Sequence, residues 1–430
     1  VLVEVTRDKE DIVQAEIESS TQSILLKTDG TVWSYGENVY GGLGIGDMES
    51  HTDVYQVLDP NGVDKLSDVI NISSGYYSSA AVKSDGRVVT WGLGTSGQLG
   101  NGKNISSSLP VYVVDSEGNE LRDIIKVSCG VYFAVALKSD GTVWSWGINC
   151  YGQLGINNGT NSNVAVQVKD TTGSGVLIDI CDITTQGYTA HALTHSGEVY
   201  GWGYNYNGEV GMGSRSTASG LGRGIKLPRK VSINGVVKIV GGHYHTLALK
   251  NDGTVWSWGL NRYGTLGYGS SSTSSSNSDY LKASPVQVKL GDATTPLTNV
   301  SDIGTSYEAS YAVTTDGKNY GWGYNAYGVV GNNGTTGSKG IYSLPQEFKV
   351  RYSEIYNGTI VKLNRSANCN INSFIQDDGT IMANGNGNPD RNIQLQTGRT
   401  YIQNYVKPIN EDYLEVNDRI TYIKQGEHAK

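Results

Sequence analysis

Apolar and polar positions alternate along this chain in short bursts, and the bursts themselves repeat. In TVWSWG, Thr142 to Gly147, large side chains occupy every second place with a small residue between them, the period-two signature of a strand with one buried face. DGTVWSWG, Asp140 to Gly147, returns almost unchanged at Asp252 to Gly259, with looser copies elsewhere. The anchoring glycine falls at Gly30, Gly86, Gly141, Gly197, Gly253, Gly317 and Gly379, in steps of 55 to 64 residues. A strand-type unit of that length predicts a propeller or array rather than a helical solenoid.

One unit reads as four short strands, seen in IIKVSCG, AVALKSDG, TVWSWG and the later PVQV at Pro285 to Val288. The link between the second and third is Asp-Gly, or Ser196-Gly197 in one copy, which predicts a tight hairpin with positive φ angles. Stacking the copies of the third strand gives two columns of large residues. Trp33, Val89, Trp144, Tyr200, Trp256, Tyr320 and Met382 form one, and Tyr35, Trp91, Trp146, Trp202, Trp258, Trp322 and Asn384 the other. All 8 Trp stand in these columns, so they are expected between blades as core rather than as a ligand or chromophore cluster. The strand ends on Gly36, Gly92, Gly147, Gly203, Gly259, Gly323 and Gly385, and turns such as NCYGQLG follow. These glycines mark turns or close backbone approaches. No helix opens after them, as a phosphate cradle requires.

Composition narrows the picture further. The repeat tiles the 430 residues, so a single domain over 1–430 is expected, with repeats over about 10–400. Lys and Arg number 33 against 41 Asp and Glu, a net charge of -8, which lacks the basic footprint of a nucleic-acid binder. No run of about 18 apolar residues is present to insert into a membrane. Cys129, Cys150, Cys181 and Cys369 sit at four different places in four repeats, which is no disulfide framework. The start at Val1 points to a mature product, an excised domain or a fragment.

LKSDGTVWSWGINCYGQLG, Leu137 to Gly155, with the Pro-Val strand and IIKVSCG-like segments, resembles the repeat of the regulator of chromosome condensation family. The resemblance implies an all-β fold, a seven-bladed β-propeller of four-stranded antiparallel blades. It leaves function open, because that fold hosts an exchange factor, a light receptor, enzyme inhibitors and bacterial surface modules. The Gly-x-x-His of many members survives only at His245; Gln22, Ser78, Phe133, Thr189, Ala309 and Ile371 stand in its place elsewhere. The light receptor's Gly-Trp-Arg-His-Thr is absent. The very even repeats with Asn- and Ser-rich loops resemble the bacterial branch.

Candidate chemistry is sparse. His191 and His195 bracket the approach to a hairpin, where a four-residue spacing does not bring them together. His243 and His245 share a strand face but have no evident third ligand, and no metal or other cofactor is expected. A stronger signal lies just past the first strand, where Tyr77, Tyr132, Tyr188 and Tyr244 recur, with Tyr76, His243 and Tyr307 beside them. The resemblance to the light receptor places this segment near one end face, where it would form a binding crescent; the alternative is a lining of the blade interior or channel. SSSTSSSNS, Ser270 to Ser278, reads as a polar, mobile insertion, and the seventh repeat loses its aromatic columns.

At the ends, VLVEV (Val1 to Val5) looks like a fourth strand and IVQAEIE (Ile12 to Glu18) like a first. YIQNYVKP and ITYIKQGEH (Ile420 to His428) repeat both at the tail. Two strands too many compete for closure, so one terminus is expected to complete a composite blade while the other lies outside or leads to a neighbour. The function expected is a non-catalytic protein or surface recognition module of a larger bacterial extracellular or appendage protein, with a protein or glycan partner. The alternatives are a regulatory binder of an intracellular GTPase, in the cytoplasm, and a proteinaceous enzyme inhibitor.

Overall fold

The computed structural model describes residues 12–17, 22–218, 220–325, 330, 340–348, 360–363, 365–366, 371–376, 381–386 and 402–408. Within them the expected four-strand unit forms repeatedly. In the third repeat Ile124–Cys129, Phe133–Lys138, Val143–Gly147 and Ser162–Gln167 lie side by side in chain order, each antiparallel to the next.

The expectation of seven four-stranded blades is corrected. Among the described residues six sheets are four-stranded, and the remaining one, built between residues 300 and 348, is five-stranded. Its extra member is Arg365–Ser366, which pairs in parallel with Thr305 and Ser306 on the innermost strand. The innermost strand of the last repeat is thus divided. Ile360–Leu363 stays with its own sheet, while the following piece crosses to the neighbouring inner edge. Inner strands of adjacent repeats converge, and an inner edge left with open N–H and C=O groups is completed by whatever backbone lies closest.

Ile12–Ile17 supplies the inner strand of the first sheet and Ile402–Pro408 the outer strand of the last. No sheet among the described residues mixes strands from both ends of the chain. The two ends meet where the Lys362 ammonium donates to the Val13 carbonyl at 2.8 Å. The segments Val1 to Val5 and Ile420 to His428 lie outside the described residues.

The Asp-Gly hairpins differ from the tight turn with consecutive positive φ angles. Gly141 donates to the Lys138 carbonyl at 2.9 Å and Lys138 to the Thr142 carbonyl at 2.9 Å, and only the glycine is left-handed, at φ +79°. This is a three-residue turn closed by a glycine bulge. The aspartate accepts instead: Asp140 Oδ1 takes the Thr142 N–H at 2.9 Å and its hydroxyl at 2.6 Å, and these bonds hold the carboxyl below its ordinary range against the opposing effect of burial. The turn also seats the next blade. Ile124 donates to the Gly86 carbonyl at 3.0 Å, and a Cβ on Gly86 would stand 2.7 Å from the Asp123 nitrogen.

The aromatic columns separate into two depths. Trp91, Trp146, Trp202, Trp258 and Trp322 are 0% exposed, whereas Trp33, Trp144 and Trp256 are half-buried. Each deep indole N–H donates to a carbonyl in the preceding repeat: Gly42 at 2.8 Å, Gln98 at 3.0 Å, Gln153 at 2.9 Å, Glu209 at 3.0 Å and Thr265 at 2.9 Å. Apolar burial and satisfaction of the one polar atom are therefore achieved by the same inter-blade contact. Around Trp146 the core joins Ala80, Val82 and Val88 of one blade to Ile124, Val127 and Ala136 of the next. The small residues between the columns bond to the turns behind them, as Ser145 does to the Leu154 carbonyl at 2.8 Å.

Candidate functional site

The end of each inner strand passes into a short turn that brings tyrosines onto one face. Tyr77, Tyr132, Tyr188 and Tyr244 each directly precede a second strand, and Tyr76, His243 and Tyr307 stand one place earlier in the turn. The predicted site residues fall at these turns in three groups of touching rings. Tyr76 packs edge-on against Tyr77 with centroids 4.4 Å apart and against Tyr132 at 5.8 Å. His243 stacks on Tyr307 at 4.3 Å and meets Tyr244 at 4.1 Å. Tyr188 packs on Tyr151 at 5.5 Å, and Tyr151 on Tyr204 at 4.9 Å.

Tyr76 is 36% exposed and the rest are half-buried, so this face is neither deep core nor fully solvated. Burial raises the Tyr77 and Tyr188 hydroxyls to about 12 and the Tyr132, Tyr244 and Tyr307 hydroxyls as well, so all stay neutral donors at ordinary pH. Tyr132 holds a left-handed backbone at φ +61°, an uncommon state for a bulky residue, which aims its ring toward Tyr76.

Several participants were not foreseen in the sequence. Tyr40, Tyr151 and Tyr263 come from the turns after the third strands; Tyr40 packs on Tyr77 at 5.1 Å and Tyr263 on Tyr324 at 4.4 Å. Their signal is the N-x-Y-G register of those turns, in which the tyrosine stands directly before the turn glycine. Arg262 lies over the Tyr263 ring at 4.9 Å and Arg223 over Tyr206 at 4.0 Å, so cations border one side of the face.

A second unforeseen feature lines the channel between inner strands. The third residue of each inner strand gives a column of Gln14, Asn71, Lys126, Asp182, Lys238 and Asp302, with Lys362 next in line. These residues bond from blade to blade. Gln14 donates to the Ile72 carbonyl at 2.7 Å, Asn71 accepts from the Val127 N–H at 2.8 Å, Lys126 pairs with Asp182 at 2.5 Å, and Lys238 pairs with Asp302. All but Asp302 line a cavity of about 200 Å³, where Lys126, Lys238 and Lys362 stand with Asp182 and Glu16, so charges of both signs meet.

The described histidines stand in separate surroundings. His191 is fully buried behind Trp258, and burial lowers it to about 4; His195 faces Asp179 at 3.2 Å on the surface. His245 is buried against Ser310 at 2.9 Å and is likewise lowered to about 3 by burial, while His243 stacks on the end face. Among the described residues no group of three or more His, Cys, Asp or Glu is placed to hold a metal ion. No helix among them is long and apolar enough to cross a membrane. Cys129, Cys150 and Cys181 are free thiols, and Cys369 lies outside the described residues. Ser270 is tied to Asp279 at 2.7 Å, and Asn277 donates to the Ser274 carbonyl at 3.0 Å, so the serine-rich insertion has turn structure of its own.

The family described as RCC1-like domain matches residues 2–359. The chain is 28% identical over 316 residues to the ultraviolet-B receptor UVR8 of Arabidopsis thaliana, covering 73% of this chain and 65% of the receptor. It is 30% identical over 329 residues to the human E3 ubiquitin-protein ligase HERC2, covering 75% of this chain but 6% of that protein. Among solved structures, Prp20p from Saccharomyces cerevisiae superposes with a TM-score of 0.66 at 20% identity, covering 84% of this chain and 82% of Prp20p. That structure is described together with the binding of Prp20p to Gsp1p and histones, and at this identity the likeness carries the fold alone.

Proposed function

Since the chain belongs to the RCC1-like domain family, we propose that it is a non-catalytic protein-recognition module that receives its partner on the tyrosine-rich end face. One observation carries this reading. A repeated column of half-buried aromatics with neutral hydroxyl tips is drawn onto a single surface, while the tryptophans that hold the blades together are fully buried elsewhere. Tyrosine gives large contact area at small entropic cost and a polar tip for hydrogen bonding, which suits protein interfaces. Binding of Gsp1p and histones by Prp20p supports a protein partner for this scaffold. An exchange-factor-like role toward a small GTPase is the second reading, favoured by that same relative.

The finer expectation, a surface or appendage module of a bacterium, rests on the Ser- and Asn-rich loops and is tested by locating the full-length protein in fractionated cells. The recognition reading is tested by affinity capture with the 430-residue chain and with a Tyr132→Ala/Tyr244→Ala variant. Loss of specific partners, with the cooperative unfolding transition retained, is the expected result. Undiminished capture by the variant rules the face out. Nucleotide release from a captured GTPase, accelerated by the wild-type chain, would establish the second reading.

A further inference from the structure

The end-face column does not continue as tyrosine. In register with Tyr77, Tyr132, Tyr188 and Tyr244, directly before the strand Ala309–Thr314, the sixth repeat carries Glu308. Its backbone carbonyl accepts from the Tyr324 N–H at 2.9 Å, as Tyr244 does from the Leu260 N–H at 2.8 Å, so the substitution leaves the turn unchanged. What changes is the side chain offered to the face.

That side chain lines a half-open notch with Tyr244, Tyr263, Tyr307 and Arg262, whose space is about 10 Å³, room for a single water-sized group. Tyr307 is held by its stack on His243, and Tyr263 by its contact with Tyr324 at 4.4 Å, so the aromatic walls are preset. Among the described residues the Glu308 carboxyl has no hydrogen bond and no ion pair. Arg262, whose charge it feels, lies over the Tyr263 ring instead. Burial pushes the carboxyl up to about 7, with Arg262 acting in the opposite sense. An acid partly withdrawn from water, with no partner among the described residues, is costly, and the cost is relieved when a cation arrives.

Resting on the protein-recognition reading above, we propose that Glu308, Tyr244, Tyr263 and Tyr307 form a subsite for the ammonium of a lysine side chain projecting from the partner. Carboxylate and ring faces both attract a cation, one through a charge-assisted hydrogen bond and the other through the ring quadrupole. The size of the notch selects the compact ammonium over the planar guanidinium. The remaining tyrosines then cover the apolar stem and flanking residues of the partner, and Arg262 is the built-in competitor for Glu308.

The test uses the whole chain labelled with carbon-13 at glutamate carboxyls, titrated with Nα-acetyl-lysine methylamide and with its neutral norleucine counterpart. One carboxyl resonance, absent from Glu308→Gln, is expected to shift saturably with the lysine probe and not with norleucine. Arg262→Gln is expected to tighten the response by roughly 3–10-fold by removing the competing charge. The unfolding midpoint of Glu308→Gln reports that the fold is kept. No saturable shift, an equal response to norleucine, or the same lysine response in a folded Glu308→Gln chain overturns the proposal. Failure here with partner capture still lost in Tyr132→Ala/Tyr244→Ala removes only the subsite. A lysine response with capture unaffected by the tyrosine changes keeps the subsite and removes the wider face.

Discussion

Two aromatic columns recur through this chain, and they have different fates. Trp91, Trp146, Trp202, Trp258 and Trp322 are sealed between blades, each indole N–H donating to a carbonyl of the preceding repeat. Tyr77, Tyr132, Tyr188 and Tyr244 recur just as regularly, yet they remain half-buried and pack on other aromatic rings of this face, Tyr40, Tyr76, Tyr151, His243 and Tyr307. Recurrence by itself therefore does not separate architecture from recognition. The placement of the polar atom does. An indole N–H committed to backbone has no further partner to offer, whereas a phenol on an end face can still donate or accept.

The largest expected effect tests the buried side of that contrast. Trp146→Ala removes a fully buried indole from the junction of two blades and leaves the Gln98 carbonyl without its donor, so a loss of about 3–5 kcal/mol is expected in denaturant unfolding. Trp144→Ala, at a half-buried site two residues away, should cost less than half as much. Equal losses would dissolve the distinction between the two depths.

The sequence disclosed more of the architecture than of the surface. Period-two patterning and the Asp-Gly anchors located the second and third strands, because each strand's buried face is written into alternate residues such as Trp144 and Trp146. It could not disclose that Arg365–Ser366 leaves its repeat for the neighbouring inner edge, because parallel backbone pairing needs no particular side chain. The channel column from Gln14 to Asp302 was missed for a different reason. Its members are glutamine, asparagine, lysine and aspartate, which look like ordinary solvent-facing alternation until the inner strands converge. Tyr40, Tyr151 and Tyr263 escaped because their partners belong to other repeats. Glu308 was legible in principle, as the one acid in register with a tyrosine column, but only ring contacts gave that register meaning.

A second, intermediate effect concerns the only carboxylate placed in the turn that accepts those indoles. Glu209 stands where Gln98 and Gln153 stand in other repeats, and burial pushes it up to about 7 while Asn207 donates to it at 2.8 Å and 2.6 Å. A folded value above the ordinary 4.5 means the native state keeps a proton that the unfolded chain releases. Glu209's contribution is therefore fully present below about pH 4.5 and is lost as pH rises through about 7. Glu209→Gln does not titrate, so its advantage over the wild type should open across that window and reach about 1–3 kcal/mol at pH 8. Unfolding of both proteins from pH 4 to 8 measures the difference. Parallel pH profiles would place Glu209 in water and weaken the claim that the inter-blade turns are dry.

The smallest effect sharpens the exposed side of the comparison. Tyr132 holds φ at +61°, whereas Tyr188, at the same repeat position, is not left-handed. Alanine at either site removes the ring, and glycine removes the ring together with the Cβ that opposes a left-handed backbone. At Tyr132 the relief of that strain, about 1–2 kcal/mol, outweighs the extra chain entropy that glycine brings, about 0.5–1 kcal/mol. Tyr132→Gly is therefore expected to be more stable than Tyr132→Ala by about 0.5–1 kcal/mol, and Tyr188→Gly less stable than Tyr188→Ala by a similar amount. The Gly-to-Ala difference at each site cancels the loss of the ring, so the sign reversal isolates the backbone. If both sites favour alanine, Tyr132 carries no strain, and its orientation toward Tyr76 follows from side-chain packing rather than from a backbone held ready for a partner.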